Sequence, residues 1–326
     1  MDRRYLLSID GGGIRGIIPA LALLKLEQET GRPARDVFSF VAGTSTGALL
    51  ASAVAAGIPA ARIVDVYRNR IGEIFTPREP WNDMRRYTVG HKYDIANLNR
   101  VLLEVLGQGS QWTLNDSPID VLLTAKGLAD GKPWYFVRDS PLNSSITGGL
   151  RLADCATASA AAPTYFDPWT MPAPVDGKVV DGGVGVTGNP VYQACVEAFC
   201  YAEGYAPAET TVISFGTGRF FKREDPHLIT QWLSWVLDAL LQAPEEQQTQ
   251  IVARHYSEAI LYRLSPRLPA DIDMDDIERI GDLETTGEQF AERVDWGAML
   301  RGEDTVFRVK RRVPHDPGGS ASGSHL

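Results

Sequence analysis

A serine flanked by glycines is the residue whose setting best suits a nucleophile. Ser45 lies within the run GTSTG, between Gly43 and Gly47, with apolar stretches on both sides. Glycines lack the Cβ atoms that would clash at a sharp turn between a strand and a helix, and such a turn exposes the serine hydroxyl. The N-terminus of the following helix would add positive potential beside a developing oxyanion. The competing interpretation is an ordinary helix cap at Thr44 or Ser45; the strand and helix predicted around the turn favour the nucleophile.

A second glycine turn lies near the N-terminus. Residues 10–16 read DGGGIRG, in which Gly11, Gly13 and Gly16 have the spacing of a dinucleotide-binding loop. That function also needs an acidic residue at the end of the second strand, where this chain carries Gly43 and the serine turn instead. Beside a nucleophilic serine, the same loop can offer backbone N–H groups to an oxyanion.

A serine nucleophile needs a base, and the chain offers one well-placed aspartate. Asp181 ends an apolar run and precedes Gly182 and Gly183. A carboxylate can deprotonate a serine directly if burial raises its pKa towards neutrality. The order serine, acid, histidine would instead use His227 or His255, although neither follows an obvious strand end. For the aspartate alone, a turn-initiating Asp-Gly pair is the alternative.

The elements around these turns predict an α/β fold. Strand, glycine turn and helix occur twice, with strands at 5–9 and 37–42 and helices at 16–29 and up to residue 56. This repetition is typical of a mostly parallel central sheet covered by helices, a three-layer α/β/α architecture. Ligands bind at the carboxyl ends of the strands in such a sheet, so the glycine turns should converge on one site. Further helices are predicted at 93–106, 191–201, 228–242, 247–256 and 284–300, and further strands at 119–125, 134–138, 178–180 and 211–215.

Composition restricts the class of protein. The 326 residues are 44% hydrophobic and 22% charged, as in a soluble globular protein. The formal charge of −9 argues against nucleic acid as a partner. The N-terminus lacks the apolar core of a signal peptide, and glycine, threonine and proline interrupt the longest uncharged stretch, so we expect neither a leader nor a transmembrane segment. Three cysteines without metal-ligand spacing (Cys155, Cys195 and Cys200) fit a reducing, cytoplasmic location.

The three turns, in this order, resemble the patatin-like phospholipase family. The resemblance covers roughly residues 5 to 300, and the combination is more specific than any single motif. At 188–190 the chain reads GNP where the family pattern leads us to expect NNP, a difference that bears on local hydrogen bonding. The other matching segments are ASAAAPTYF at 158–166, ISFGTG at 213–218, YRL at 262–264 and the acidic stretch at 271–276.

The resemblance implies a role for each motif residue. Ser45 would be the nucleophile, and Asp181 the general base that later reprotonates the leaving group. The backbone N–H groups of Gly12 and Gly13 would form the oxyanion hole, and Arg15 would order the glycine loop or pair with a phosphate. The reaction would be acyl transfer from a lipid ester to the serine and then to water, without a metal or other cofactor. The remaining motif glycines are Gly11, Gly16, Gly43, Gly47, Gly182 and Gly183.

The resemblance also implies domain organisation, substrates and partners. We expect a single patatin-like catalytic domain over 1–314, with lid or interface elements at 75–95 and 228–242, and a disordered tail over 315–326. Substrates would be phospholipid, lysophospholipid or galactolipid esters at a membrane surface, so a cytoplasmic protein would also act peripherally at membranes. Some bacterial relatives are nucleotide-activated phospholipases in antiviral defence. The resemblance is therefore also compatible with a cyclic-nucleotide activator, with a homodimer, and with acyl transfer to an alcohol instead of water.

Two weaker patterns have more ordinary interpretations. Asp271, Asp273 and Asp275 open like a calcium loop, but Asp276 and Asp282 replace the glycine and glutamate that such a loop needs. An acidic helix start is favoured, since carboxylates stabilise helix N-termini. The segment 228–242 is apolar around most of its circumference, which favours a core or subunit interface over a lipid-facing lid.

Overall fold

A mixed β-sheet organises the chain. The structure is a computed structural model, and it describes residues 3–78, 91–185, 187–220, 232 and 246–310. The eight strands within these ranges are β1 (Arg4–Ile9), β2 (Phe40–Gly43), β3 (Asp120–Gly127), β4 (Pro133–Phe136), β5 (Trp169–Met171), β6 (Gly177–Asp181), β7 (Thr210–Phe215) and β8 (Ile260–Leu264).

The sheet is parallel at one end and antiparallel at the other. Its strands follow the order β5-β6-β3-β2-β1-β7-β8, and β4 also pairs with β3. The five neighbours from β3 to β8 are parallel to one another. In contrast, β4 and β6 run antiparallel to β3, and β5 runs antiparallel to β6. The predicted mostly parallel central sheet is confirmed.

Helices cover both faces of the sheet. One-residue alternation sends Leu7 and Ile9 of β1 into the larger core and Leu6 into the smaller one. The larger core includes residues of α1, α3, α6, α7 and α10, and the smaller one residues of α8 and α9, which gives the predicted three layers. These helices are α1 (Ile17–Thr30), α2 (Ala34–Val37), α3 (Thr46–Ala55), α4 (Ala60–Asp65), α5 (Ile71–Ile74), α6 (Ile95–Leu106), α7 (Leu152–Ser159), α8 (Val191–Val196), α9 (246–255), α10 (Ile280–Ala291) and α11 (Trp296–Arg301).

Some predicted boundaries are wrong. The strand predicted at 37–42 begins only at Phe40, because Val37 still belongs to the short α2. The helix predicted at 284–300 is two helices, α10 and α11. The Asp295 side chain caps the second of them by accepting the N–H of Ala298 at 2.8 Å.

Two strands were not predicted at all. β5 has three residues, too few for an alternating pattern to stand out. β8 carries Arg263 in its interior, and a charged residue there conceals a strand that is otherwise buried.

The segment predicted as a lid at 75–95 is described only at its two ends. There, a β-bridge joins Pro77 to Tyr93, and the rings of Phe75 and Tyr93 pack edge to face with centroids 5.1 Å apart. Residues 79–90 lie outside the described residues, so the lid stays a prediction.

The other predicted interface element lies almost wholly outside the described residues. Of 228–242, the structure describes Trp232 alone, a helical residue with half of its surface exposed. The predicted tail at 315–326 also falls outside, and the single domain over 1–314 stays a prediction. Across the ranges that the structure covers, no helix combines the length and apolar character needed to cross a bilayer.

Candidate active site

Ser45 occupies a strained turn between β2 and α3. Its backbone angles, a φ of 56° and a ψ of −126°, lie in a region that residues other than glycine rarely adopt. The backbone N–H of Ser45 donates to the Ser159 Oγ at 2.9 Å, which holds the turn from the side of α7. Ser45 therefore immediately precedes α3, and its side chain makes no capping hydrogen bond to that helix.

The glycines on either side of this turn allow the chain to approach itself closely. A Cβ added to Gly43 would overlap the carbonyl of Gly47, and one added to Gly47 would overlap the carbonyl of Ile9. A hydrogen bond between two threonine hydroxyls also holds this turn, with the Thr44 Oγ1 2.7 Å from the Thr124 Oγ1 of β3. The spacing of these glycines thus follows from packing between β1, β2 and α3.

Asp181 is the last residue of β6, a strand that runs antiparallel to its neighbour β3. Asp181 ends a strand, as predicted, but this strand is one of the antiparallel strands of the mostly parallel sheet. β3 continues past the end of β2, and β6 pairs antiparallel with this extension, with Asp181 opposite Ala125. The last residue of β6 is thereby brought back towards Gly43, so that Asp181 and Ser45 line the same cavity.

Burial makes Asp181 an unusual carboxyl group. It is only 3% exposed, and the loss of hydration raises its pKa to about 6. Two groups act in the opposite direction because they stabilise the carboxylate: the Ser45 hydroxyl, and the Gly183 N–H, which donates to Asp181 at 2.7 Å. A carboxyl group with this pKa is ionised at neutral pH and is basic enough to accept a proton.

The glycine loop presents backbone donors beside Ser45. Gly11, Ile14 and Arg15 use their N–H groups on the carbonyls of Gly188, Met274 and Gly12, respectively. Among the described residues, no protein acceptor receives the N–H groups of Gly12 and Gly13. The loop therefore has two adjacent donors available, at the positions that the resemblance assigns to an oxyanion hole.

Two arginines support the glycine loop. Arg15 is buried and donates from Nε to the Gly12 carbonyl at 3.3 Å. Arg263 of β8 makes a bidentate ion pair with Asp10, through distances of 2.5 and 3.0 Å, and also donates to Ser214. Because Asp10 is fully buried, this pair fixes the exact point at which the loop leaves β1.

Replacing Arg263 with methionine should lower the free energy of unfolding by about 3–5 kcal/mol, since the Asp10 carboxylate would stay buried without its guanidinium. Urea denaturation at neutral pH measures this loss. Arg279→Met is the matched control: it removes an ion pair with Asp282 that is partly exposed on both sides, and should change stability by less than about 1 kcal/mol. Equal losses in the two variants would contradict the assignment.

An apolar cavity of about 120 Å³ opens beside Ser45 and Asp181. The glycine loop and Gly188 line its polar end, and side chains of α3 to α6 line most of the rest. Two hydroxyls inside it, those of Thr46 and Tyr67, are hydrogen-bonded to each other. The site therefore joins a reactive serine to a space that suits a hydrocarbon chain.

The remaining sequence candidates do not join this site. Within the described part of the chain, no histidine lines the cavity. His255 packs its ring against Tyr192, and His227 lies outside the described residues. Of the acidic stretch, Asp275 is engaged by the Lys92 ammonium at 2.9 Å and the Tyr93 hydroxyl.

Several residues that build the site were missed. Ser159 lies inside a segment that carries the resemblance, but its residue type did not indicate a bond to the nucleophile's backbone. Arg263 and Met274 also lie in segments that carry the resemblance, but Arg263 belongs to an unpredicted strand and Met274 acts through its backbone carbonyl. At the GNP departure, the Gly188 carbonyl accepts the Gly11 N–H at 3.0 Å, an interaction that needs no side chain.

Comparisons with known proteins identify the family to which the chain is similar. A family model described as patatin-like phospholipase matches residues 7–194. A cGAMP-activated phospholipase of Vibrio cholerae is 33% identical over 208 residues, which are 60% of this chain and 57% of the relative. Patatin-17 of Solanum cardiophyllum is 32% identical over 204 residues, 56% of this chain and 50% of the relative.

Among solved structures, VipD from Legionella pneumophila is similar with a TM-score of 0.44 at 13% identity, covering 90% of this chain and 67% of VipD. The chain spans about half the length of the curated relatives it matches.

Proposed function

The chain belongs to the patatin-like phospholipase family, and on that premise we propose that it hydrolyses lipid esters through an acyl-enzyme on Ser45. One observation carries the proposal: Ser45 and the buried carboxylate of Asp181 line the same apolar cavity, and the Ser45 side chain lies near enough to lower the pKa of that carboxyl group. A nucleophile beside its base is the arrangement that covalent ester hydrolysis requires.

The catalytic cycle uses one carboxyl group twice. Asp181 accepts the hydroxyl proton as the Ser45 Oγ attacks the ester carbonyl, and then donates it to the departing alcohol. It next removes a proton from the water that attacks the acyl-enzyme, and returns this proton to the Ser45 Oγ as the fatty acid leaves. The N–H groups of Gly12 and Gly13 stabilise the negative oxygen that forms in both tetrahedral intermediates. Arg15 keeps these donors aligned through the Gly12 carbonyl.

Lipid vesicles test this function directly. Wild-type protein mixed with vesicles of phospholipid and galactolipid should release free fatty acid, and the products identify the bond that is cut. Loss of release in Ser45→Ala supports the proposal, whereas equal release from both proteins contradicts it. Mass spectrometry with an added alcohol separates hydrolysis from acyl transfer, which starts from the same acyl-enzyme.

Activation by a cyclic nucleotide is a second candidate property. It is supported by the 33% identity to a phospholipase named as cGAMP-activated. The test repeats the vesicle assay with a panel of cyclic dinucleotides and measures binding by calorimetry. Stimulation by one member of the panel supports activation; unchanged fatty-acid release together with no heat of binding contradicts it.

A further inference from the structure

Two adjacent residues, Thr187 and Gly188, contact all three glycine turns of the site. The Thr187 hydroxyl donates to the carbonyl of Gly182, directly after the aspartate. The Thr187 carbonyl accepts the hydroxyl of Thr44, directly before the serine, at 2.6 Å. The Gly188 carbonyl accepts the N–H of Gly11 in the glycine loop at 3.0 Å. The Thr187–Gly188 segment therefore joins the serine turn, the aspartate turn and the glycine loop.

The donors and acceptors along this segment follow from the number of hydroxyl hydrogens. Thr44 has one such hydrogen, and a backbone carbonyl can only accept, so Thr44 uses its hydrogen on the Thr187 carbonyl. Thr124 must then be the donor in its hydrogen bond with Thr44, in which the two oxygens lie 2.7 Å apart. The hydrogen bonds thus run in one direction, from β3 through the serine turn and Thr187 to the aspartate turn.

Burial makes these hydrogen bonds effective constraints. Thr44 and Thr124 are fully buried and Thr187 is 5% exposed, so water competes little for their hydroxyls. Space is equally tight, because a Cβ added to Gly182 would lie 2.1 Å from the Thr124 Oγ1. A shift of the aspartate turn would therefore break a buried hydrogen bond or create a clash.

The end of α7 provides another link between the serine turn and the aspartate turn. The Ser159 Oγ accepts the Ser45 N–H at 2.9 Å, and the Ala161 carbonyl accepts the Asp181 N–H at 3.0 Å. Both turns are thus held by α7 through their backbone, independently of Thr187.

These two links lie on opposite faces of the sheet. α7 packs in the larger core, which also contains Leu123 and Ala125 of β3. Thr124, between them in sequence, points to the other face because side chains alternate along a strand. The α7 link alone would let the turns pivot about it, whereas links on both faces fix their separation.

We propose that Thr187 is a positioning residue that fixes the Asp181 carboxylate relative to the Ser45 hydroxyl. Thr187 does not itself line the cavity, so its effect on catalysis passes through this pair and not through contact with substrate. The inference rests on the proposed function, in which the carboxylate must receive the serine proton over a hydrogen-bond distance. A displacement of about 1 Å is enough to slow such a step about a hundredfold.

Thr187→Val tests this role, because valine keeps the shape of threonine without the hydroxyl. We expect kcat for the hydrolysis of 4-nitrophenyl esters to fall about 10- to 100-fold, with KM within about twofold of wild type. Thr187→Ser keeps the donor and should retain kcat within about threefold. A Thr187→Ser enzyme as slow as Thr187→Val would overturn the inference. Thr44→Val removes the other hydroxyl of the link and should give the same split between kcat and KM, so the test does not depend on the folding of one variant.

Thr210→Val is the matched control. Thr210 is likewise buried, and its hydroxyl donates to the backbone carbonyl of Ala206 at 2.8 Å, but it pairs with Arg4 at the other end of the sheet. Its kcat should stay within about twofold of wild type even where stability falls. Equal losses of kcat in Thr187→Val and Thr210→Val would overturn the inference.

A fluorophosphonate probe separates this inference from the proposed lipid hydrolysis. The Ser45 Oγ bonds to the phosphorus, fluoride leaves and Asp181 takes the serine proton, so no lipid is required. The labelling rate, followed by intact-mass spectrometry, should be at least about tenfold lower in Thr187→Val. Equal rates in wild type and Thr187→Val would overturn the inference and leave the function intact.

If wild-type protein neither hydrolyses esters nor reacts with the probe, the proposed function fails and crystal structures decide the inference. In Thr187→Val, the Asp181 side chain should move relative to Ser45 by about 0.5 Å or more, whereas in Thr210→Val it should not. An unchanged position in Thr187→Val would overturn the inference.

Discussion

Replacing Ser45 with alanine is expected to lower kcat for ester hydrolysis by about four to six orders of magnitude, because no acyl-enzyme can form. The expected size follows from serine hydrolases in general, in which loss of the nucleophile leaves only the contributions of binding and of the oxyanion hole. Fatty-acid release from vesicles and single-turnover hydrolysis of 4-nitrophenyl esters both measure it. The fold should persist, since Ser45 is partly exposed and its structural contacts are made by the backbone.

Ser52→Ala is the matched control for this prediction. Ser52 lies on the same helix and is fully buried, and its hydroxyl has no hydrogen-bond partner among the described residues. Its removal should leave kcat within about twofold and should not lower stability, since no hydrogen bond is lost. Comparable losses of activity in both variants would contradict a specific role for Ser45.

Replacing Asp181 with asparagine should lower kcat/KM by about two to four orders of magnitude, because asparagine keeps the shape of the side chain but cannot accept the serine proton.

The pH profile of the wild-type enzyme should reveal the ionisation of Asp181. kcat/KM should rise with pH to about 6, where Asp181 becomes ionised, and stay level above it. Asp154→Asn changes another largely buried aspartate that does not line the cavity, and should keep most of the activity. A wild-type profile without a transition near pH 6 would count against Asp181 as the base.

The Asp181→Asn substitution should also stabilise the protein at neutral pH. Folding raises the pKa of Asp181 from 3.8 to about 6, so between these pH values the native state holds a proton that the unfolded chain has lost. The stability associated with this group is complete below pH 4 and falls as the pH rises to about 6, by about 3 kcal/mol for two pKa units. The advantage of Asp181→Asn in urea denaturation should therefore grow between pH 4 and 6. A difference that does not depend on pH would show that ionisation is not its cause.

The sequence predicted those parts of the site that depend on residue type at a fixed spacing. Ser45 between two glycines and Asp181 before two more required only local geometry, and the structure brings both side chains together. The three layers followed from repeated strand, turn and helix patterns. The direction of β6 did not, because it depends on how far β3 extends beyond β2, which is a property of pairing and not of either segment.

The contacts that hold the glycine loop in place could not be predicted either. Arg263 lies about 250 positions from Asp10 in the chain, and nothing in the local pattern of either residue indicates the other. The cavity could not be predicted for the same reason, since it is lined by four helices, α3 to α6, whose apolar faces are each typical of ordinary core helices. Such contacts arise only when the sheet order places distant segments side by side.

That order has a consequence for synthesis on the ribosome. β1 is completed within the first ten residues, yet its neighbour β7 begins at Thr210, and the carbonyl that holds Ile14 belongs to Met274. At typical rates of translation, roughly 10–50 s pass between the two ends of that last hydrogen bond. Once Asp181 has been added, the nascent chain carries both reactive residues but cannot yet fix the glycine loop beside them. A chain released early, before Arg263 and Met274, would retain the reactive residues without the frame that aligns them.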